Sequence, residues 1–108
     1  MNKVYRSAAF LAAFTVACSA AQSAEVVVSQ KGKAFSTAKL TIHAGDKVTF
    51  RNDDSFVHNV FSLTEPGSFD LGTYPQGQAK SVTFTKPGTY DIECAIHPEM
   101  KLQIVVAP

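Results

Sequence analysis

Three donors suited to a soft metal stand within one short run near the C-terminal end of this 108-residue chain: Cys94, His97 and Met100, in Cys94-Ala95-Ile96-His97-Pro98-Glu99-Met100. The spacing C-x2-H-x2-M lets a single loop turn a thiol, an imidazole and a thioether toward one point. Thiolate and thioether sulfur together with imidazole select copper. A trigonal site of two histidines and one cysteine, with a distant axial methionine, is the geometry of copper electron transfer. A second histidine must therefore come from elsewhere, and His58 is the candidate. The rest of the inventory sharpens this reading. The chain has two Cys and two Met, and Cys18 and Met1 fall in a segment expected to be removed. The exported protein then keeps its one thiol and its one thioether in the same loop. An unpaired thiol in an oxidising compartment is a liability unless it is buried or ligated.

The removed segment is the N-terminus. Lys3 and Arg6 give a positive start, and Ala8 to Ala17 (AAFLAAFTVA) an apolar stretch too short to cross a bilayer. Ala20-Ala21-Gln22-Ser23-Ala24 is a zone of mostly small residues fit for cleavage. Residues 1–24 thus read as a secretory signal peptide and residues 25–108 as one domain, with cuts after Ser23 or Ala21 as alternatives. A lipoprotein signal ending at Cys18 is the rival; it lacks the usual Leu three residues earlier. The mature form has no membrane anchor on this reading.

The 84 residues that remain carry eight basic and nine acidic side chains, a net charge of −1. No basic stripe for nucleic acid and no polybasic membrane patch is present. A chain of this size buries only about 60–65% of its unfolded surface, so its own core is marginal. A metal that binds only the folded state adds about 4 kcal/mol at a thousandfold excess over Kd.

The elements that must position the donors are strands. Glu25-Val26-Val27-Val28-Ser29 is a β-branched run that ends in a turn at Gln30-Lys31-Gly32-Lys33, and Phe35 follows as a core anchor. Lys39-Leu40-Thr41-Ile42-His43 and Lys47-Val48-Thr49-Phe50-Arg51 alternate across Ala44-Gly45-Asp46 and read as a hairpin, with His43 on the polar parity as a solvated histidine. Asn52-Asp53-Asp54-Ser55 is a turn cluster whose acids read as solvated. Phe56, His58 and Val60 then share an apolar parity, which places an imidazole just past a loop. Between Leu63 and Gln78 the breakers Pro66, Gly67, Gly72, Pro75 and Gly77 leave room for only a short strand at Phe69 to Leu71. Lys80 to Thr85 is another strand. After a Pro87-Gly88 turn, Tyr90, Ile92 and Cys94 alternate with Asp91 and Glu93, which puts Cys94 on the core face at a strand end. Lys101 to Val106 closes the domain. Seven to eight short strands with turns between them and no helix-period segment give an all-β, antiparallel Greek-key sandwich.

With these residues placed, residues 25–108 resemble the cupredoxins of the plastocyanin and amicyanin type. The resemblance rests on Phe35, the tripeptide His58-Asn59-Val60, the Pro87-Gly88-Thr89-Tyr90 turn, and Cys94, His97 and Met100 at the amicyanin spacing. It implies a type 1 site with His58, Cys94 and His97 as equatorial ligands and Met100 as the axial one. It also implies one copper per chain, cycling between Cu(II) and Cu(I), with Asn59 pinning the two ligand-bearing loops together. Ala95, Ile96 and Pro98 are implied as part of an apolar docking surface. Glu99 departs from that surface and puts the partner's character in question.

The expected function is a soluble, monomeric, periplasmic one-electron carrier between redox proteins, and not an enzyme. Copper tolerance or delivery is the alternative, since it can use the same four ligands. A Cys94/His58 nucleophile pair would also need an oriented base and oxyanion donors, and zinc hydrolysis would not call for Met100.

Overall fold

A computed structural model describes residues 22–108. The expected signal segment lies outside the described residues apart from its last three positions, and so does Cys18. Eight strands follow one another: β1 (Glu25–Gln30), β2 (Lys39–His43), β3 (Asp46–Asn52), β4 (His58–Ser62), β5 (Phe69–Tyr74), β6 (Ala79–Phe84), β7 (Gly88–Glu93) and β8 (Lys101–Ala107). They form two sheets, one of three strands in the order β1-β3-β6 and one of five in the order β2-β8-β7-β4-β5. The fold is the expected all-β sandwich. Most pairings are antiparallel, but β1 with β3 and β2 with β8 run parallel.

The inner faces follow the alternation of the sequence. Val28, Val48, Phe50 and Phe84 come from the small sheet and Ile42, Val60, Ile92, Leu102, Ile104 and Val106 from the large one, and together they make a single buried cluster. Phe35 joins it, its ring edge-on to Phe50 at 6.1 Å between centroids.

Two expectations are corrected. The segments 39–43 and 47–51 do not pair as a hairpin; β2 belongs to the large sheet and β3 to the small one. The turn between them is a corner. The Ala44 N–H donates to the Ala107 carbonyl of one sheet and the Gly45 N–H to the Phe84 carbonyl of the other. Gly45 takes a φ of 97°, which a side chain would oppose. Leu40 and Ile42 thus face Val48 and Phe50 across the core instead of lying beside them.

The short strand expected at Phe69 to Leu71 extends to Tyr74. It continues through a bulge in which Leu71 and Gly72 together oppose Val60, with Gly72 at φ 71°. Glycine takes that left-handed φ without the cost a side chain would meet, so the residue that reads as a breaker is the one that lets the strand go on.

A buried polar link ties the sheets together near the ligand end. The Tyr74 hydroxyl lies 2.7 Å from Gln30 Oε1 and 3.1 Å from the Phe50 carbonyl, and Gln30 Nε2 donates to the Asn59 carbonyl at 3.5 Å. Burial, and after it the charge of Cys94, pushes the Tyr74 phenol well above its ordinary range. Its proton is therefore a fixed donor.

At the opposite end Asp46 accepts the His43 N–H and, in the uncleaved chain, the Ala24 N–H, each at 2.8 Å. Those two bonds, His43's first, hold its carboxyl below the usual carboxylate range. A folded pKa below the unfolded one means that this contribution is complete above about pH 4 and is lost as pH falls through the folded value. Thermal melts of the metal-free protein from pH 5 to pH 2 should therefore be less steep in pH for Asp46→Asn than for the wild type. Equal slopes would show that other carboxylates carry the acid sensitivity.

Candidate metal centre

The donors converge where the large sheet opens. Strands β4 and β7 share one ladder pair, Phe61 with Glu93. Beyond it, toward His58 and Cys94, the side chain of Asn59 takes the place of the ladder. The Ala95 N–H donates to Asn59 Oδ1 at 3.1 Å, and the Asn59 N–H points at Cys94 Sγ at 3.4 Å. Asn59 is itself fixed, its Nδ2 donating to Asp70 Oδ1 at 2.8 Å and to the Gly72 carbonyl at 3.2 Å. That Asp70 carboxyl sits below its ordinary range because it accepts the Gly72 N–H and the Asn59 amide. Asn59 thus holds the two ligand-bearing segments at a fixed separation.

Ligand atoms of His58, Cys94 and His97 lie within 4.8 Å of one another. Cys94 Sγ is 3.9 Å from His58 Nδ1 and 3.7 Å from His97 Nδ1. Two donors roughly 2.0–2.3 Å from a first-row ion and about 120° apart stand about 3.7 Å from each other, so the spacing leaves room for one ion among the three. Cys94 is 1% exposed and His58 is completely buried, while His97 is half-buried. Met100, 1% exposed, ends the loop, and its N–H donates to the His97 carbonyl at 2.9 Å. The loop therefore closes as a turn that keeps Cys94 and His97 together at the end of β7 and buries Met100 just before β8.

Asp54 is a further correction. It reads from sequence as a solvated turn residue, yet it is 8% exposed and its carboxylate lies 2.7 Å from His58 Nε2. The same carboxylate accepts the N–H groups of Gly32 at 2.8 Å and Lys33 at 3.2 Å. Burial acts to raise its pKa, but the bonds from His58, Gly32 and Lys33 outweigh it, and the carboxyl sits below its ordinary range. A carboxylate only accepts, so the His58 proton belongs on Nε2 and the Nδ1 lone pair is left toward Cys94. A partner on the far nitrogen is how a ligating imidazole is usually fixed in tautomer and orientation. Asn52 shapes the loop that delivers Asp54: its Nδ2 donates to the carbonyls of Phe56 and Tyr74, and its Oδ1 accepts the Asp54 N–H.

Phe56 departs from its expected place as well. Strand β4 begins only at His58, so Phe56 precedes the alternation and stands 37% exposed at the rim. Its ring lies 5.2 Å from the rings of both His58 and His97. With Val57 and Ile96, each 44% exposed, it forms an apolar collar beside His97. Ala95 and Pro98 are exposed on the same loop, and His43 is exposed at the other end of the molecule, as expected from its parity.

These features define a class: a β-sandwich in which two imidazoles and one thiol converge on a common point, with a methionine buried at the end of the same loop, a donor set that suits copper. The family of copper binding proteins that includes plastocyanin and azurin matches over residues 22–107, and the chain belongs to that family. Amicyanin-alpha of Methylorubrum extorquens is 39% identical over 75 residues, which cover 67% of this chain and 63% of that protein. Among solved structures, an amicyanin variant with Cu(I) superposes with a TM-score of 0.71 at 32% identity, covering 76% of this chain and 81% of that one. A Cu-containing nitrite reductase from Thermus scotoductus superposes with a TM-score of 0.73 at 33% identity, covering 78% of this chain but 22% of that enzyme.

Because the Asp54 carboxylate anchors a ligand and a loop together, Asp54→Ala should speed amide exchange at Gly32 and Lys33 by about tenfold or more, the scale of a lost bond to a charged acceptor. Unchanged protection would mean that the loop is held by its own turn, in which the Lys31 N–H meets the Ala34 carbonyl.

Proposed function

We propose that this protein is a soluble, monomeric, exported one-electron carrier of the periplasm. His58, Cys94 and His97 would hold one copper as its close ligands, with Met100 as a weaker fourth donor. The observation that carries the reading is the pairing of a buried, hydrogen-bonded donor set with a single half-buried imidazole edge. Bound there, copper supplies a Cu(II)/Cu(I) couple.

The chain's own residues do the rest. Asp54 fixes His58, and Asn59 fixes the β7 end and lends an N–H to Cys94 Sγ, where it draws charge from the thiolate. Donors held in this way keep nearly one geometry in both oxidation states, so little has to rearrange when an electron passes. Phe56, Val57 and Ile96, with Ala95 and Pro98, surround His97 with surface on which a partner can exclude water.

Enzyme chemistry finds less support. An open groove of about 480 Å³ lies on the outer face of β7 and β8, lined by Ala38, Asp91, Glu93, Lys101 and Gln103 among others, and none of the donors borders it. The likeness to nitrite reductase extends to about a fifth of that enzyme's length.

One equivalent of Cu(II) should give an intense visible thiolate-to-copper band that Cys94→Ser abolishes. A band that survives the substitution would overturn the type 1 assignment. Met100→Leu should keep copper and colour while raising the reduction potential, because it removes donation that favours the oxidised state. Each tenfold change in the one-electron equilibrium is about 59 mV. Sluggish electron exchange combined with ready copper release to a chelator would favour delivery or tolerance over a carrier.

A further inference from the structure

The β1–β2 loop carries two lysines, Lys31 and Lys33, and brings the second to the collar. Gly32 at φ 65° and Lys33 at φ 55° are consecutive left-handed residues. For a residue with a side chain that conformation costs of the order of 1 kcal/mol or more, and it persists only where neighbours impose it. Asp54 imposes it here. In this backbone shape the N–H groups of Gly32 and Lys33 converge on one carboxylate, the same one that holds His58. The Lys33 ammonium then lies 5.7 Å from the centroid of the Phe56 ring, which lies 5.2 Å from the ring of His97. Phe56 is thus a shared neighbour of the loop's ammonium and the exposed imidazole.

The charge at this edge is not cancelled. Lys31 and Lys33 are both exposed, and among the described residues neither ammonium has a carboxylate within ion-pair distance. Asp53, the other acid of the neighbouring loop, is engaged by Arg51 at 2.9 Å, and Asp54 is buried beneath the lysines. The negative contribution from the ligand loop is Glu99, the only acid between Cys94 and Met100. The collar is therefore apolar at its centre and basic on the β1–β2 side.

We propose that Lys31 and Lys33 are the steering and orienting element of the docking face, and that the face fits an acidic redox protein. Such a partner seats an apolar patch on Phe56, Val57 and Ile96 and sets carboxylates against the two lysines. This rests on the reading of His97 as the electron port. Charges beside an apolar contact act mainly on the rate of encounter and on orientation. Lys33 also does so from a loop whose backbone shares its anchor with a copper ligand, so the cation and the port keep a fixed relation.

The test uses the full copper-loaded protein and two small probes of opposite charge. Ferricyanide, a trianion, takes one electron from the reduced protein and becomes ferrocyanide as copper goes from Cu(I) to Cu(II). Tris(phenanthroline)cobalt(III), a trication, takes one electron in the same way and becomes cobalt(II). Lys33→Glu is compared with Lys86→Glu, which makes the same change in net charge in the β6–β7 turn, at the opposite end of strands about 20 Å long. At an ionic strength of about 0.1 M the Debye length is about 10 Å, so only a charge near the port is felt there.

The expected result is that Lys33→Glu slows ferricyanide about threefold or more and speeds the cobalt complex, with the visible band and the potential unchanged, while Lys86→Glu leaves both rates near wild type. Equal effects of the two variants, or no effect of Lys33→Glu, would overturn the proposal with the carrier reading intact. Slow exchange of the wild type with both probes would remove the carrier reading and the docking proposal together.

Discussion

The site exists because two adjacent strands stop pairing. Strands β4 and β7 meet at Phe61 and Glu93 and then part, and in the gap the donor atoms of a thiol and two imidazoles lie within 4.8 Å of one another. Left alone, a sheet that splays in its middle exposes backbone groups whose burial without partners costs about 1–3 kcal/mol each. Asn59 removes that cost: its side-chain Oδ1 takes the Ala95 N–H, its backbone N–H goes to Cys94 Sγ, and its side-chain Nδ2 is held by Asp70 and Gly72. The Gly72 bulge is part of the same device, since it turns a carbonyl toward the asparagine while the strand continues to Tyr74. An opening in a ladder is thereby converted into a cavity of fixed width.

A second anchor works from the opposite side. The Asp54 carboxylate receives three donors, one from a ligand imidazole and two from the β1–β2 loop. Its burial is tolerable only because each of those bonds compensates the lost hydration. Ligand orientation, a left-handed loop and the placement of two lysines thus depend on one side chain. The chain of buried contacts goes on through Asn52, which donates to the Phe56 and Tyr74 carbonyls, and through the Tyr74 hydroxyl to Gln30. The end of the sandwich that carries the donors is polar inside yet hydrogen-bonded throughout: no buried side-chain nitrogen or oxygen among the described residues lacks a partner.

What the sequence made legible is what periodicity and donor chemistry encode. Parity alone placed Cys94 on the core face at a strand end, and the coincidence of sulfur and imidazole in one loop implied a second histidine. Alternation also set Val48, Phe50 and Ile92 on inner parities, and all three are completely buried. The features that stayed hidden lack a local signature. Asp54 sits in a polar run that any turn can contain, and its partners Gly32 and Lys33 lie more than twenty residues away in sequence. Gln30 and Tyr74 are 44 residues apart. The supposed hairpin failed for a related reason. Two alternating segments around a glycine specify a reversal of direction, but whether they pair side by side or cross to facing sheets depends on which other strands take their edges, here β8 for one and β1 with β6 for the other.

The four donors are not equally constrained, and the inequality bears on function. His58 has Asp54, Cys94 has the Asn59 N–H, and Met100 is held by its backbone bond to His97. Among the described residues the His97 ring meets a hydrogen-bonding group only at Cys94 Sγ; otherwise it is oriented by packing, against Phe56 at 5.2 Å and His58 at 4.9 Å between centroids. The least anchored ligand is therefore the one nearest solvent, and one of the two rings that orient it, Phe56, is itself part of the surface a partner would cover. A contact that presses on Phe56 excludes water from the collar and limits the tilt of the His97 ring in the same step. The protein needs no separate element to couple docking to the geometry of its exposed ligand, because one phenyl ring belongs to both.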